Sequence, residues 1–239
     1  LQPRFPPREH PAATHPVRLQ PADASALPAQ PQGVIEREAD VQVRLETHGH
    51  LRGLRVRGVS WSGSLAGVDL SGSQWTDCDL RGTIMIAAQL TEARLVDCSM
   101  DDVDLQGAEL AGAQLLGVSL RGAVARGVDF SGAKVELTAV DGADLRDATF
   151  EGAVFLEPDL GEVQLEGARL RRCLMHGAKR ADLRFTGCDL SDASLRDAKL
   201  RGADFSDAVG FQLDLRGADL SGANLEGFLG EGIDAREAG

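Results

Sequence analysis

From Leu70 to Leu225 a large apolar residue returns at every fifth position, thirty-two positions without a slip, and only Ala125, Arg180 and Gly210 break the type. Two residues before each centre stands a small one: Ala, Val, Ser, Thr or Cys everywhere except Pro158, Leu183 and Leu213. Gly or Asp most often follows two after the centre, as at Gly72, Gly82, Gly132 and Asp147. Earlier in the chain Leu51, Val56, Trp61 and Leu65 are spaced five, five and four, which reads as a first unit with one residue deleted near Ser64. Before that, Val41, Val43 and Leu45 alternate with Gln42, Arg44 and Glu46, and this period of two predicts a half-buried strand covering the first edge.

Helix and strand repeat at 3.6 and 2.0 residues, so a period of five fits neither. It fits a coil that turns a corner every five residues, each side burying one large and one small side chain. Glycine at the corner takes a positive φ without steric cost, and stacked coils bond backbone to backbone about 4.8 Å apart. An interior this narrow leaves little room for rings. Stretches such as Ala218-Asp219-Leu220-Ser221-Gly222 and Ala223-Asn224-Leu225-Glu226-Gly227 show the unit plainly. In these residues the chain resembles the pentapeptide-repeat family, whose unit is A(D/N)LXX. The resemblance spans roughly 51–230 and implies an all-β fold: a right-handed quadrilateral parallel β-helix with four pentapeptides per coil. Thirty-two centres then make eight coils, the shortened unit a ninth, and the rod is on the order of 40 Å long.

Eight of the nine prolines fall within residues 1–31, among polar and Ala residues with no apolar period. That composition predicts an extended arm or linker with no core of its own. The expected organisation is therefore an arm at 1–33, a strand or cap at 34–50, the β-helix at 51–230 and a short tail at 231–239, with Ile233 folding over the end.

Aromatic residues are 4% of the chain with no Tyr, and the formal net charge is −12. This acidity disfavours direct nucleic-acid binding by bulk charge, since phosphate contact needs a basic face. No apolar run approaches the roughly 20 residues of a membrane-spanning helix. With no leader pattern at its start the chain is expected in the cytoplasm, although it begins at Leu1 rather than Met, which leaves export open.

Cys78, Cys98, Cys173 and Cys188 all occupy the small inward position, where free cysteine serves as a small hydrophobe. Cys78 and Cys98 are twenty residues apart and thus stacked in adjacent coils, close enough for a disulfide that an already bonded stack hardly needs. His48, His50 and His176 do not fall at metal-ligand spacing with them. The glycines are corners rather than a phosphate loop. No catalytic, cofactor or metal constellation is expected, and the chain reads as a non-enzyme.

Surface charge varies along the rod. Residues 51–100 are net zero, and 101–150 carry nine acids and four bases, including an acidic band at Asp101, Asp102, Asp104, Glu109 and Asp129. Residues 151–200 are net −1 and contain a basic girdle of Arg169, Arg171, Arg172, Lys179, Arg180 and Arg184. Stacking in twenties also puts Val96, Leu116, Val154, Leu156 and Leu174 on one outward side, interrupted by Lys134 and Glu136, with the other rows mostly polar. An exposed apolar face of this kind marks an interface. Three defects stand out. Pro158 removes a backbone donor and predicts a bulge or an edge-facing kink. Arg180 is expected to turn outward through a local distortion while Leu183 turns in. Gly210 leaves a centre empty beside Phe211 and Leu213, suggesting a similar repair.

These features describe a rigid interaction or structural module, part of a larger protein or assembly, meeting a protein partner of undefined identity and in an undefined oligomeric state. The resemblance implies an alternative. Some family members imitate duplex DNA with an acidic rod and bind type II topoisomerases, notably DNA gyrase, inhibiting them or protecting them from quinolone-like poisons. The basic girdle departs from that pattern.

Overall fold

A computed structural model describes residues 33–156, 158 and 160–239. The arm expected at 1–33 lies outside them apart from Gly33. In chain order the elements are β1 (Val34–Ile35), α1 (Glu38–His48), β2 (Arg55–Arg57), β3 (Gln74–Thr76), β4 (Arg94–Val96), β5 (Gln114–Leu116), β6 (Lys134–Glu136), β7 (Val154–Leu156) and β8 (Leu174–His176). The eight strands form one parallel sheet in chain order. Trp75, Leu95, Leu115, Val135, Phe155 and Met175 stand in register, twenty residues apart. This is the parallel β-solenoid of the five-residue period.

The sheet is one side of the rod, and β2 to β8 mark about seven turns of it. The other sides hold only isolated bridges at the same interval, such as Asp69–Gln89–Glu109, Asp79–Ser99–Ser119 and Ile84–Asp104–Val124. Leu174–Ser194–Asp214–Asp234 carries the sheet's register on towards the C-terminus. The shortened first turn is real: Ser60 pairs Asp79 at a separation of nineteen, whereas Ser64 pairs Ile84 at twenty, so the missing residue falls between Ser60 and Ser64. There the Trp61 ring lies under Gly63, where a Cβ would stand 3.0 Å from Cζ2.

Corner residues two past the centre take left-handed backbone, among them Gly72 at φ 64° and Asp77 at φ 54°. Glycine and Asp tolerate that conformation where bulkier residues resist it. Every centre from Leu70 to Leu215 is buried except Arg180. Where aromatics recur twenty apart they stack, with ring centroids 5.0 Å apart in both Phe130–Phe150 and Phe185–Phe205.

Two expectations about the ends are corrected. Residues 41–45 are helical, not a strand. Val41 and Leu45 satisfy an i, i+4 helical face as well as they satisfy alternation, and they pack on the core, while Val43 is 59% exposed. Glu38 and Asp40 suit the helix N-terminus, and Gly49 closes its C-terminus at φ 71° with its N–H donating to the Leu45 carbonyl. The edge is paired instead by β1, through Val34–Arg55 and Ile35–Val56. At the other end, 231–239 is not a tail. The Leu215 and Leu220 amides donate to the carbonyls of Asp234 and Gly239, 2.8 Å each, so the coil continues. Ile233 sits two before Ala235, in step with Leu213, as another small-position residue of the stack.

Candidate interaction surfaces

Many of the rod's carboxylates are used locally. An Asp just before a centre accepts the backbone N–H two residues on, as in Asp69–Ser71, Asp129–Ser131, Asp189–Ser191 and Asp204–Ser206, at 2.8–3.0 Å. Where the residue after the centre is Arg, it also grips the same carboxylate. Asp79–Arg81, Asp144–Arg146 and Asp214–Arg216 close to 2.6 Å, and Asp234–Arg236 to 2.7 Å. The Arg81 hydrogen bond holds Asp79 at a pKa of about 2, and Arg216 does the same for Asp214. At Asp69 burial pushes upward, but Arg52 and Ser71 outweigh it and bring the carboxyl to about 2.

In the acidic band, Asp101 accepts from Ser119 Oγ and the Arg121 amide, Asp104 from the Gln106 amide, and Asp129 from Ser131. Asp102 is an exposed left-handed corner at φ 57°, and Glu109 is exposed. The band is thus partly structural. The basic girdle is largely neutralised. Arg171 lies 3.9 Å from both Asp189 and Asp192, Arg172 3.3 Å from Glu151, Arg180 4.0 Å from Glu162 and Arg184 3.9 Å from Glu166. Lys179 also has an interaction partner, and among the described residues only Arg169 of the girdle has none. Each of these four arginines sits one coil from its acid, a pairing that windows along the chain conceal.

The apolar residues of the sheet resolve into two clusters on its outward rows. Val96 and Leu116 are neighbours in β4 and β5 and half-buried. Beyond Lys134 and Glu136, Val154, Leu156 and Leu174 surround a shallow hollow of about 250 Å³ with Phe155 and His176. Leu156 is 50% and Leu174 40% exposed. Further exposed apolar side chains, not expected, lie on another side: Ile84, Ile86 and Val124, with Asp104 between Ile84 and Val124. Their register at 84–104–124 is the signal that would have found them.

The sequence matches the family profile of pentapeptide repeats, in eight copies, over 64–102, 98–136, 140–172, 159–192 and 188–227. The chain belongs to the pentapeptide-repeat family. No curated protein matches it. Similar solved structures include HetL, a pentapeptide repeat protein involved in heterocyst differentiation regulation from the cyanobacterium Nostoc sp. strain PCC 7120. It shares 24% identity, with 79% of this chain and 92% of that one covered and a TM-score of 0.36. Full-length QnrB1, a plasmid-mediated fluoroquinolone resistance protein, shares 18% identity, with 83% and 93% covered and a TM-score of 0.33. Rfr23 from the cyanobacterium Cyanothece 51142 shares 16%, with 84% and 97% covered and a TM-score of 0.25.

The irregularities of this pentapeptide-repeat chain sit at its three defects. After the buried Pro158, the left-handed corner moves from position 162 to Gly161 at φ 45°, and Asp141 Oδ1 accepts the Glu162 amide at 2.7 Å. Arg180 does point outward, with Leu183 buried in its place, but its own coil stays in register: its amide still donates to the Lys199 carbonyl at 3.2 Å. The result is a hollow of about 370 Å³ lined by Glu162, Glu166, Asp182, Arg180 and Arg184, of mixed charge. At Gly210 the repair comes from Leu213 and from Phe228 of the next coil; Phe211 is 46% exposed and plays no part.

The four cysteines are free thiols buried in the core. Burial pushes Cys173 and Cys188 up to about 12, and Cys98 is raised by its hydrogen bond to Cys78 and by burial. His176 Nε2 lies 2.8 Å from Ser194 Oγ, which is 3.4 Å from Asp214. The serine stands in the middle, so Asp214 does not orient the imidazole as an activated nucleophile requires. Among the described residues no three metal-binding side chains gather, and no helix is long and apolar enough to cross a membrane.

Proposed function

We propose that the chain is a non-catalytic interaction module whose contact surface is the β2–β8 sheet, anchored at Val154, Leu156 and Leu174. The observation that carries this reading is the apolar hollow those residues form on a regular rod, since contiguous exposed apolar area on a protein surface favours an interface. Val96 and Leu116 extend the same surface. The test is Leu156→Glu with Leu174→Glu. The variant keeps the parent's thermal midpoint within a few degrees and loses the parent's bound partner, or its self-association, in sedimentation and co-purification. A variant that keeps the same partners overturns the assignment.

The acidic reading is the second. Asp102 and Glu109 are exposed within a segment of net −5, and the family resemblance supplies DNA gyrase as a partner for an acidic rod. A supercoiling assay with and without a quinolone tests it. Inhibition or drug rescue that disappears on reversing charge at Asp101, Asp102 and Asp104 supports gyrase mimicry, and no effect in either format rejects it.

A further inference from the structure

One column of the sheet is chemically ordered. Reading the residue before each centre from coil to coil gives Arg55, Gln74, Arg94, Gln114, Lys134, Val154 and Leu174, each paired in register with the next. Cation and amide alternate for five coils and then give way to aliphatics. Arg55, Arg94 and Lys134 are exposed, and none has an ion-pair partner among the described residues. The adjoining column opens with Arg57, also exposed, followed by Thr76, Val96 and Leu116. From β2 to β5 neither outward column holds a carboxylate. Acids occur only at the borders: Glu36 after β1, Asp77, Glu92 and Asp97 at left-handed corners, and Glu136 in β6. A protein of net charge −12 therefore presents one unneutralised basic strip, on the same sheet as its exposed apolar hollow.

The spacing defines the guest. Coils rise about 4.8 Å, so cations two coils apart stand about 10 Å apart, and the column from Arg55 to Leu174 spans about 29 Å. A peptide in the extended polyproline II conformation has three residues per turn and advances about 3.1 Å per residue, so carboxylates on every third residue line one side about 9 Å apart and match the cations. The amides of Gln74 and Gln114, between them, face the peptide backbone. Gln114 Oε1 accepts from Arg94 Nη1 at 2.8 Å, which leaves its NH2 group to donate. We infer that the β2–β8 sheet receives an extended acidic peptide segment of a protein partner, its carboxylates on Arg55, Arg94 and Lys134 and its apolar end on Val154, Leu156 and Leu174. Nucleic acid fits less well: the strip is one cation wide, ends in aliphatic side chains, and belongs to a strongly acidic rod that repels phosphates elsewhere. The inference rests on the sheet being the interface and adds the chemistry of what binds there.

The experiment measures fluorescence anisotropy of a labelled twelve-residue peptide carrying Glu at every third position followed by two Leu. Its Gln-for-Glu analogue and a short labelled DNA duplex serve as comparisons. The Glu peptide binds the full chain, weakens with salt, and loses at least about tenfold in affinity when Arg94→Glu and Lys134→Glu are combined. Equal binding of the Gln analogue, an unchanged affinity in the reversed variant, or no binding up to about 100 µM overturns the inference. Tighter binding of the duplex through the same two cations overturns the choice of a peptide. The Leu156→Glu, Leu174→Glu variant separates the two readings. If only charge reversal abolishes binding, the basic strip stands and the apolar anchor fails. If only the leucine substitutions do, the anchor stands and the inference fails. A melting curve for each variant confirms that it is folded.

Discussion

Phe228 occupies the space that Gly210 vacates: its Cζ lies 2.6 Å from where a Gly210 Cβ would stand, with Leu213 Cδ2 at 3.1 Å. A lost centre in one coil is filled by an enlarged small-position residue in the next. The two are coupled, and the coupling is measurable. Gly210→Leu alone overpacks the site and costs about 1–3 kcal/mol. Phe228→Ala alone opens a cavity and costs about 3 kcal/mol, less in so far as the ring is half-exposed. The double variant restores the ordinary repeat and recovers most of both losses. A denaturation cycle that returns simple additivity shows the ring is not filling the gap.

Trp61 and Trp75 differ in one partner. Trp75 Nε1 donates to Ser73 Oγ, two residues back, at 2.9 Å, whereas Trp61 has Val59 at that position and its buried Nε1 has no acceptor among the described residues. Val59→Thr keeps the volume and supplies an oxygen. The expected gain is about 1 kcal/mol in urea unfolding. A loss instead means the indole edge is turned away and the new hydroxyl is itself unpaired.

Gly161 is required for two reasons. It holds a left-handed φ of 45°, and an added Cβ would stand 2.8 Å from Asp141 Cα and 2.7 Å from its Cβ. Gly161→Ala costs about 2 kcal/mol or more. Gly152→Ala, at φ 67° with open space around it, carries only the conformational strain of about 1 kcal/mol. Thermal midpoints of the pair report the difference, and equal shifts contradict the steric account.

Acid should weaken the rod within a defined window. Asp69, Asp79 and Asp214 have folded-state pKa values of about 2, below the ordinary 3.8. Depressed carboxylates contribute stability that is complete above the ordinary value and lost as pH falls towards the folded one. The urea midpoint is therefore flat from about pH 7 to 5 and falls between about 4 and 2. These groups are partly buried at the surface and their arginine partners are exposed, so the effect is modest and salt diminishes it. A decline already complete at about pH 5 assigns the transition to other groups.

The fold was legible because each turn repeats the same instruction: a small residue, a large one and a left-handed corner, through Leu70 to Leu215. Even the shortened turn at Trp61 shows as a spacing of four. Helix α1 was not legible, since Val41 and Leu45 satisfy both periods and only Val43, exposed, tells them apart. Surface chemistry was read in the wrong direction. Windows along the chain pass over all four sides, so residues 51–100 look neutral although Arg55, Arg57 and Arg94 share one side. Reading every twentieth residue separates the sides. Pro158 marked the place of a defect, but its form, with the corner moved to Gly161, could not be seen, because it depends on Asp141 a coil away.

The fixed register of the sheet turns its surface into a measuring scale. Side chains recur on it at one interval and one height per coil, with no slip in register between Trp75 and Met175. A guest whose own contacts repeat at another pitch can match one rung, or two, and then drifts out of phase, however favourable its charge. Selection on such a rod is exercised by periodicity, and a one-residue insertion in the guest is a more severe change than the loss of any single contact.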